Sequence, residues 1–250
     1  MLSSCGLLCE TCDAFPKDCP GCDSVEGKPF WLSDTGKSVC ELYQCARDRG
    51  ITSCGGCSAL PCKQFVELRD PSLSVEEQLG HVNKRVEKLK KGHPSALSSS
   101  VRIIPRDAFY VIGYPLATTI ERSRSEIPAF WDRFFEFGGP DKLGRITGKE
   151  QGGGIYGICT GFNCDSGEFT YVIGICVSTP KDIPEGMVQV TVPAALYAVA
   201  EAVLDAPAIH KAWDFLIKTW MPEAGYAHAG TEDFEFYPEE CGCEVWVPVK

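Results

Sequence analysis

The sequence lacks the short motifs that mark several large enzyme classes. It has no G-x-S-x-G nucleophile elbow, no phosphate-binding P-loop and no glycine-rich dinucleotide fingerprint. No apolar run approaches the roughly 18 residues that span a bilayer. The start of the chain also lacks the basic, apolar and small-residue regions of a signal peptide. We therefore expect a cytoplasmic protein that has no membrane partner.

Basic residues are fewer than acidic ones. The 250 residues include 24 Lys+Arg and 34 Asp+Glu, which gives a formal net charge of -10. Residues 101–250 hold 21 of the acidic and 12 of the basic residues, so this part accounts for nine of the ten negative charges. Because an acidic surface repels phosphate backbones, the composition disfavours nucleic acid as a partner and favours neutral or cationic ligands.

Cysteine is absent between Cys62 and Cys159, whereas ten of the 15 cysteines lie between Cys5 and Cys62. Such density indicates that crosslinks replace part of an apolar core, and in a reducing cytosol clustered cysteines more often hold metal than form disulfides. A chain of 250 residues is long enough for two domains. We expect a cysteine-rich domain at residues 1–92 that ends in a helix, a linker at 93–100 and a second domain at 101–250.

Four short cysteine pairs predict metal binding, because two such turns place four thiolates around one tetrahedral zinc ion. The predicted ligands of two structural zinc ions are Cys9, Cys12, Cys19 and Cys22 for one, and Cys40, Cys45, Cys54 and Cys57 for the other. Cys5 or Cys62 could replace a neighbour. An iron-sulfur cluster also suits four thiolates and stays open as an alternative. The C-x3-C-x2-C pattern that begins at Cys5 also occurs in radical SAM enzymes, where a β/α barrel surrounds the cluster. Here only a short cysteine-rich segment follows the pattern, so the sequence disfavours a radical SAM enzyme.

Residues 101–250 predict an α+β fold in which a β-α-β-β unit occurs twice. The segment Ile127-x3-Trp131-Asp132 matches Ile209-x3-Trp213-Asp214 at identical spacing. Asp205 is suited to cap the second helix. The sequence therefore predicts an internal duplication.

The closing hairpin, FEFY followed by CEVWVPV, indicates a ligand site. Alternation places Phe234 and Phe236 on one face of the strand and Glu235 and Tyr237 on the other. We expect the apolar face to pack on the helices and the opposite face, with Trp246, to line a groove. A carboxylate among aromatic rings favours flat, lipophilic or cationic molecules. The alternative is that Glu235 points into water on a one-sided sheet.

Two parts of the sequence resemble known families. CGLLCETC, CPGC and CGGCSALPC are similar to a cysteine-rich, zinc-binding family of uncharacterised N-terminal domains, which brings no known activity. The doubled unit, the AWDFLIKTW helix and the closing hairpin resemble the GyrI-like (SHS2-like) small-molecule-binding family, related to the effector domains of AraC and MerR type multidrug regulators. That resemblance implies a ligand cleft, with residues at Glu235, Tyr237, Trp213, Trp220 and Tyr156.

Three functions are compatible with these observations. The first is binding of an aromatic or cationic small molecule, as in multidrug-binding effector domains, with Glu235 as the polar anchor. The second is hydrolysis of reactive cyclopropane-type molecules with Glu235 as the catalytic residue, as the resemblance implies for some stand-alone members. The third is a zinc-knuckle adaptor that binds protein. The chain lacks a helix-turn-helix segment, so direct transcriptional regulation is doubtful.

Overall fold

The computed structural model describes residues 1–68, 70, 72–91, 101–146, 153–179, 183–239 and 242–250. The linker expected at 93–100 lies outside the described residues. The α-helices are α1 Glu41–Asp48, α2 Lys63–Glu67, α3 Val75–Lys91, α4 Ile120–Glu136, α5 Gly139–Gly144, α6 Ala206–Asp214 and α7 Met221–Ala224. The strands are β1 Arg102–Arg106, β2 Phe109–Thr119, β3 Ile155–Thr160, β4 Glu168–Val177, β5 Val188–Val192, β6 Ala195–Ala202, β7 Asp233–Tyr237 and β8 Cys243–Val249.

The chain forms two compact units. The first contains Met1–Ile103 and Trp220–Tyr226, and the second contains Ile104–Thr219 and Ala227–Lys250. Within the described ranges, no helix combines the length and the apolar character that crossing a bilayer requires.

The first unit consists of short helical turns followed by α1, α2 and the long helix α3. Ser74 and Glu77 form a reciprocal capping box at the start of α3, in which the Ser74 backbone N–H donates to the Glu77 carboxylate at 2.9 Å. One face of α3 is buried through Leu79, Val82, Val86 and Leu89. The helix predicted at the end of the cysteine-rich part is therefore present.

The second unit is built on an eight-stranded sheet of order β1-β6-β8-β7-β3-β4-β2-β5. Its pairings from β2 to β8 are antiparallel. This mixed α+β fold with an antiparallel sheet agrees with the expected fold class. Each strand-like stretch before a helix contains two strands, β1 with β2 and β5 with β6, where the sequence predicted one. In the second stretch the break falls at Pro193, which cannot donate a ladder hydrogen bond.

The two faces of this sheet carry different cores. On one face, Ile112, Tyr171 and Ile173 pack with Phe134 of α4 and Leu143 of α5. The buried members of the other core all come from strands and the segments that join them; they include Phe109, Val111, Tyr156, Phe234 and Trp246.

Strand register decides which face meets the helices. Phe234 lies opposite Ile158 of β3 and Trp246 of β8, so it belongs to the strand-only core. Its expected packing on the helices is therefore corrected. Glu235, one residue on, lies on the face that the helices cover.

Candidate ligand-binding site

A cavity of about 840 Å³ lies on the helix-bearing face of the second unit. Helix α4, the segment that leads into α6, and strand β7 with the turn after it contribute most of the lining. Its apolar and aromatic walls include Ile127, Trp131, Phe135, Leu204, Ile209 and Tyr237. This volume is in the range of pockets that enclose drug-sized molecules.

Glu235 lines this cavity although its side chain is only 7% exposed. Trp213 of α6 donates its indole N–H to Glu235 Oε1 at 2.8 Å. The hydroxyl of Tyr237 donates to Glu235 Oε2 at 2.8 Å. The hydroxyl of Tyr171 donates to the same oxygen. Three side chains from three different elements therefore hold the carboxylate in one orientation.

A second indole extends this network. Trp131 of α4 donates its N–H to the Tyr171 hydroxyl at 3.1 Å. Its ring packs edge-on against Tyr237, with centroids 4.8 Å apart. Because Tyr171 accepts from Trp131, its own hydroxyl proton is directed to Glu235. The network thus links α4 and α6 to one carboxylate.

The network requires a glycine on the neighbouring strand. Gly157 of β3 lies directly opposite Glu235 of β7. A Cβ atom at this position would be 2.0 Å from the Tyr171 hydroxyl and 3.0 Å from Glu235 Oε2. The missing side chain therefore leaves the space through which Tyr171 reaches the carboxylate.

The donors to Glu235 are neutral groups. Burial, followed by the charge of Glu235, raises the pKa of Tyr171 and of Tyr237 far above the usual range, so both phenols stay protonated. No lysine or arginine is found among the described residues that line the cavity. A buried carboxylate with hydrogen bonds but without a counter-ion is compensated best by a cation in the adjacent space.

The structure brings together three of the six residues predicted for the cleft: Glu235, Tyr237 and Trp213. Tyr156 and Trp246 belong to the strand-only core on the opposite face of the sheet. Trp220 is fully buried in the first unit and stacks on Tyr226. The placement of these last three in a ligand cleft is therefore corrected.

Sequence reasoning missed Tyr171, Trp131 and Gly157. The signal for Trp131 was present, because the predicted repeat aligns it with Trp213, which was selected. Tyr171 and Gly157 have no local signal, since their proximity to Glu235 depends on the register of β3 with its two neighbouring strands.

The thiols of the first unit lie in two neighbourhoods. Burial raises the pKa of Cys22 to about 12, and the nearby thiols that add to the effect are those of Cys5, Cys40, Cys9 and Cys19. Cys40 was predicted to belong to the other group. Its backbone N–H donates to the Gly27 carbonyl at 2.8 Å, which brings it to the loop after Cys22.

The second neighbourhood surrounds a cavity of about 270 Å³. Its lining includes Arg49 together with the four thiols Cys45, Cys54, Cys57 and Cys62. In this set Cys62 takes the place predicted for Cys40. Four thiols are a donor set that suits zinc. Across the described part of the chain, however, no three Cys, His, Asp or Glu side chains are arranged closely enough to hold a metal ion.

Comparison with known proteins agrees with the fold of the second unit. Residues 99–250 match the model of the GyrI-like small molecule binding domain family, and the chain belongs to that family. Residues 1–67 match a family described as proteins of unknown function, DUF3795.

Proteins similar to this chain include a transcriptional regulator and a protein of known structure. The transcriptional regulator BrlR of Pseudomonas aeruginosa is 33% identical over 138 residues, which cover 55% of this chain and 48% of the regulator. The chain thus spans about half the length of that relative. The solved structure of SAV2435 bound to tetraphenylphosphonium matches with a TM-score of 0.51 and 22% identity, over 60% of this chain and 93% of that one.

Proposed function

We propose that the second unit binds a lipophilic, aromatic cation in its 840 Å³ cavity, with Glu235 as the anionic anchor. The observation that carries this proposal is the environment of the Glu235 carboxylate. It is 93% buried, neutral donors orient it, and the described residues that line the cavity include His210 but no lysine or arginine.

The cavity walls add to this preference. Trp131 and Tyr237 line the space beside Glu235, and the faces of aromatic rings attract cations through their quadrupole. The apolar surface of Ile127 and Phe135 suits the hydrocarbon part of such a ligand. The complex of SAV2435 with tetraphenylphosphonium, an aromatic cation, supports this choice of ligand class.

Calorimetric titration with tetraphenylphosphonium tests the proposal. The variant Glu235→Gln keeps the shape of the side chain but loses its charge, so affinity should fall by about 1 to 3 kcal/mol, or roughly fivefold to 150-fold. Glu185→Gln is the matched control, because Glu185 is exposed and does not line the cavity. Equal affinity of the parent protein and Glu235→Gln would remove Glu235 as the anchor.

The same network favours one alternative activity. Glu235 could accept a proton from water as the water oxygen bonds to a ring carbon of a reactive cyclopropane-type molecule and a ring C–C bond breaks. The Tyr237 phenol would protonate the released carbon, and Glu235 would return a proton to Tyr237 through their hydrogen bond. The discriminating measurement is turnover of such a substrate. A binding protein consumes at most one equivalent, whereas a hydrolase whose activity depends on Glu235 consumes many.

For the first unit we propose two structural zinc ions held by cysteine thiolates. The support is the cysteine spacing and the presence of two thiol neighbourhoods. When bound, zinc would crosslink a segment that has little apolar core. Elemental analysis of the purified full chain should give two equivalents of zinc. Iron together with visible absorbance would instead indicate an iron-sulfur cluster.

The ligand set can be tested separately. Zinc content after Cys40→Ala and after Cys62→Ala shows which thiol completes the second group. The neighbourhoods favour Cys62, so Cys62→Ala should lose one equivalent from the site shared with Cys54. Loss only in Cys40→Ala would restore the grouping expected from sequence order.

We also propose that the second unit is an internal duplication in a cytoplasmic protein. The strand order of the sheet reads the same from both ends when β1 to β4 are exchanged with β5 to β8. Trp131 and Trp213, which the repeat aligns, both join the network around Glu235.

A further inference from the structure

The cavity has more negative charge than a single cation requires. Besides Glu235, its lining contains the carboxylates of Asp132, Asp205 and Glu239. Glu235 is buried, whereas the other three residues are exposed. One carboxylate therefore lies deep in the cavity and three lie nearer to solvent.

One of these exposed carboxylates is engaged by the fold. Asp205 is the N-cap of α6, and its Oδ2 accepts the backbone N–H of Ala208 at 3.2 Å. Within the described part of the chain, no comparable partner holds Asp132 of α4 or Glu239 after β7. Among the described residues, neither of these two carboxylates forms an ion pair.

Asp132 differs from its counterpart in the repeat. Asp214 occupies the matching position after Trp213, and there Arg124 and Lys218 neutralise it at 3.0 and 2.7 Å. Asp132 follows Trp131 in the same motif and lines the cavity, but no lysine or arginine among the described residues pairs with it. Basic side chains thus neutralise Asp214, which lies outside the cavity, whereas no described residue forms an ion pair with Asp132, which lines it.

We propose that the preferred ligand is a dication whose two positive centres are separated by an apolar spacer. This inference rests on the proposed function. Glu235 binds the inner positive centre, and the carboxylates of Asp132 and Glu239 attract the outer positive centre. The exposed side chains of Phe135 and Leu204, at 59% and 66%, provide apolar surface for the spacer.

A matched pair of probes isolates the second charge. Both are triphenylphosphonium ions with a hexyl chain, and the chain ends either in trimethylammonium or in the isosteric, uncharged tert-butyl group. The full-length protein should bind the dication about threefold to tenfold more tightly, since exposed charge pairs contribute weakly. The preference should shrink at high salt, because exposed charges are screened.

Variants assign the preference to particular residues. Asp132→Asn combined with Glu239→Gln should lower affinity for the dication about threefold to tenfold more than affinity for the tert-butyl probe. Asp165→Asn combined with Glu185→Gln makes the same charge change at exposed positions outside the cavity, and it should leave the ratio of affinities as in the parent protein.

The outcomes separate the two proposals. Equal affinity of the parent protein for both probes, or a preference that persists in the Asp132 and Glu239 double variant, overturns the dication inference while leaving the cation site intact. A parent protein that binds neither probe, or an affinity for the tert-butyl probe that does not respond to Glu235→Gln, overturns the proposed function and the inference together.

Discussion

Each face of the sheet in the second unit places one charged group among aromatic rings. On the strand-only face, the Arg106 guanidinium lies 4.0 Å from the ring centroid of Phe109 and 5.2 Å from those of Phe234 and Trp246. It also donates to the Tyr156 hydroxyl at 2.7 Å. On the helix-bearing face, Glu235 is held by neutral donors and borders the cavity.

The difference lies in what compensates each charge. The rings around Arg106 present electron-rich faces to a cation, so the protein itself stabilises the charge, and the partly exposed guanidinium packs against the strand-only core. Indole and phenol donors fix the orientation of Glu235 but supply no positive charge. A charge compensated by its own fold is structural, whereas one that is oriented but uncompensated beside a cavity is suited to a ligand.

Gly157→Ala is expected to have the largest effect, because Gly157 lies beside the hydrogen-bond network that holds Glu235. The new methyl group would overlap the Tyr171 hydroxyl, which must move away from Glu235. We expect a loss of about 1 to 3 kcal/mol in the free energy of unfolding from overpacking. We also expect a loss of cation affinity as large as that of Glu235→Gln. Denaturant unfolding and calorimetry measure the two effects.

Gly144→Ala is the control for this substitution, since a Cβ atom there meets open space. A Gly157→Ala protein that keeps both its stability and its affinity would show that the network tolerates displacement of Tyr171. The geometry of the donors would then be unimportant for the site.

Arg106→Met should have the next largest effect. It should lower stability without changing ligand affinity, and so distinguish the roles of the two faces of the sheet. Methionine keeps much of the apolar bulk but loses the cation-π contacts and the hydrogen bond to Tyr156. The free energy of unfolding should fall by about 2 kcal/mol. Affinity for tetraphenylphosphonium should change less than twofold, because Arg106 is on the other face. A tenfold loss of affinity with unchanged stability would reverse the roles assigned to the two charges.

The alternation of β7 could be predicted from the sequence, but its surroundings could not. A period of two places Glu235 and Tyr237 together in any strand. Which face meets the helices depends on the register with β3 and β8, which pairs Phe234 with Ile158 and Trp246. No local pattern specifies that register, so Trp246 and Tyr156 were assigned to the wrong side of the sheet.

Trp220 shows a different limit of sequence reasoning. Seven residues separate it from Trp213, a spacing that keeps two side chains on one face of a regular α-helix. The segment Phe215–Trp220 is instead a π-helical turn, whose wider winding shifts the later side chain. The helix itself and its Asp205 cap follow from the sequence, whereas the change of winding does not.

The thiols show a third limit. Short spacing predicts which cysteines share a turn, as with Cys54 and Cys57. The path of the intervening loops decides which turns come together, and it brings Cys40 towards Cys22 and Cys62 towards Cys54.

Tyr171→Phe should have a smaller effect, and it tests how the Glu235 carboxylate is held. The substitution removes one donor from a buried carboxylate and the acceptor of the Trp131 N–H. At neutral pH the free energy of unfolding should fall by about 1.5 kcal/mol, as expected for a hydrogen bond to a charged group. Tyr114→Phe is the matched control, since no described residue accepts or donates a hydrogen bond at its hydroxyl. Equal stabilities in denaturant titrations would mean that Tyr171 does not support the carboxylate.

The smallest effect concerns Asp214, a surface charge that the fold already neutralises. Hydrogen bonds first from Lys218 and then from Arg124 lower the pKa of its carboxyl. Because the folded pKa lies below the unfolded one, the pair stabilises the protein above the unfolded pKa, and this contribution is lost as pH falls through the folded value.

Asp214→Asn should therefore cost at most about 1 kcal/mol near pH 7, because the pair is exposed and screened. Its unfolding free energy should converge with that of the parent protein in acid. Asp132→Asn should show no such pH-dependent cost, since its carboxylate has no basic partner among the described residues. Parallel pH profiles for the two variants would mean that Asp132 is neutralised as Asp214 is, and the cavity would then need only one cationic centre.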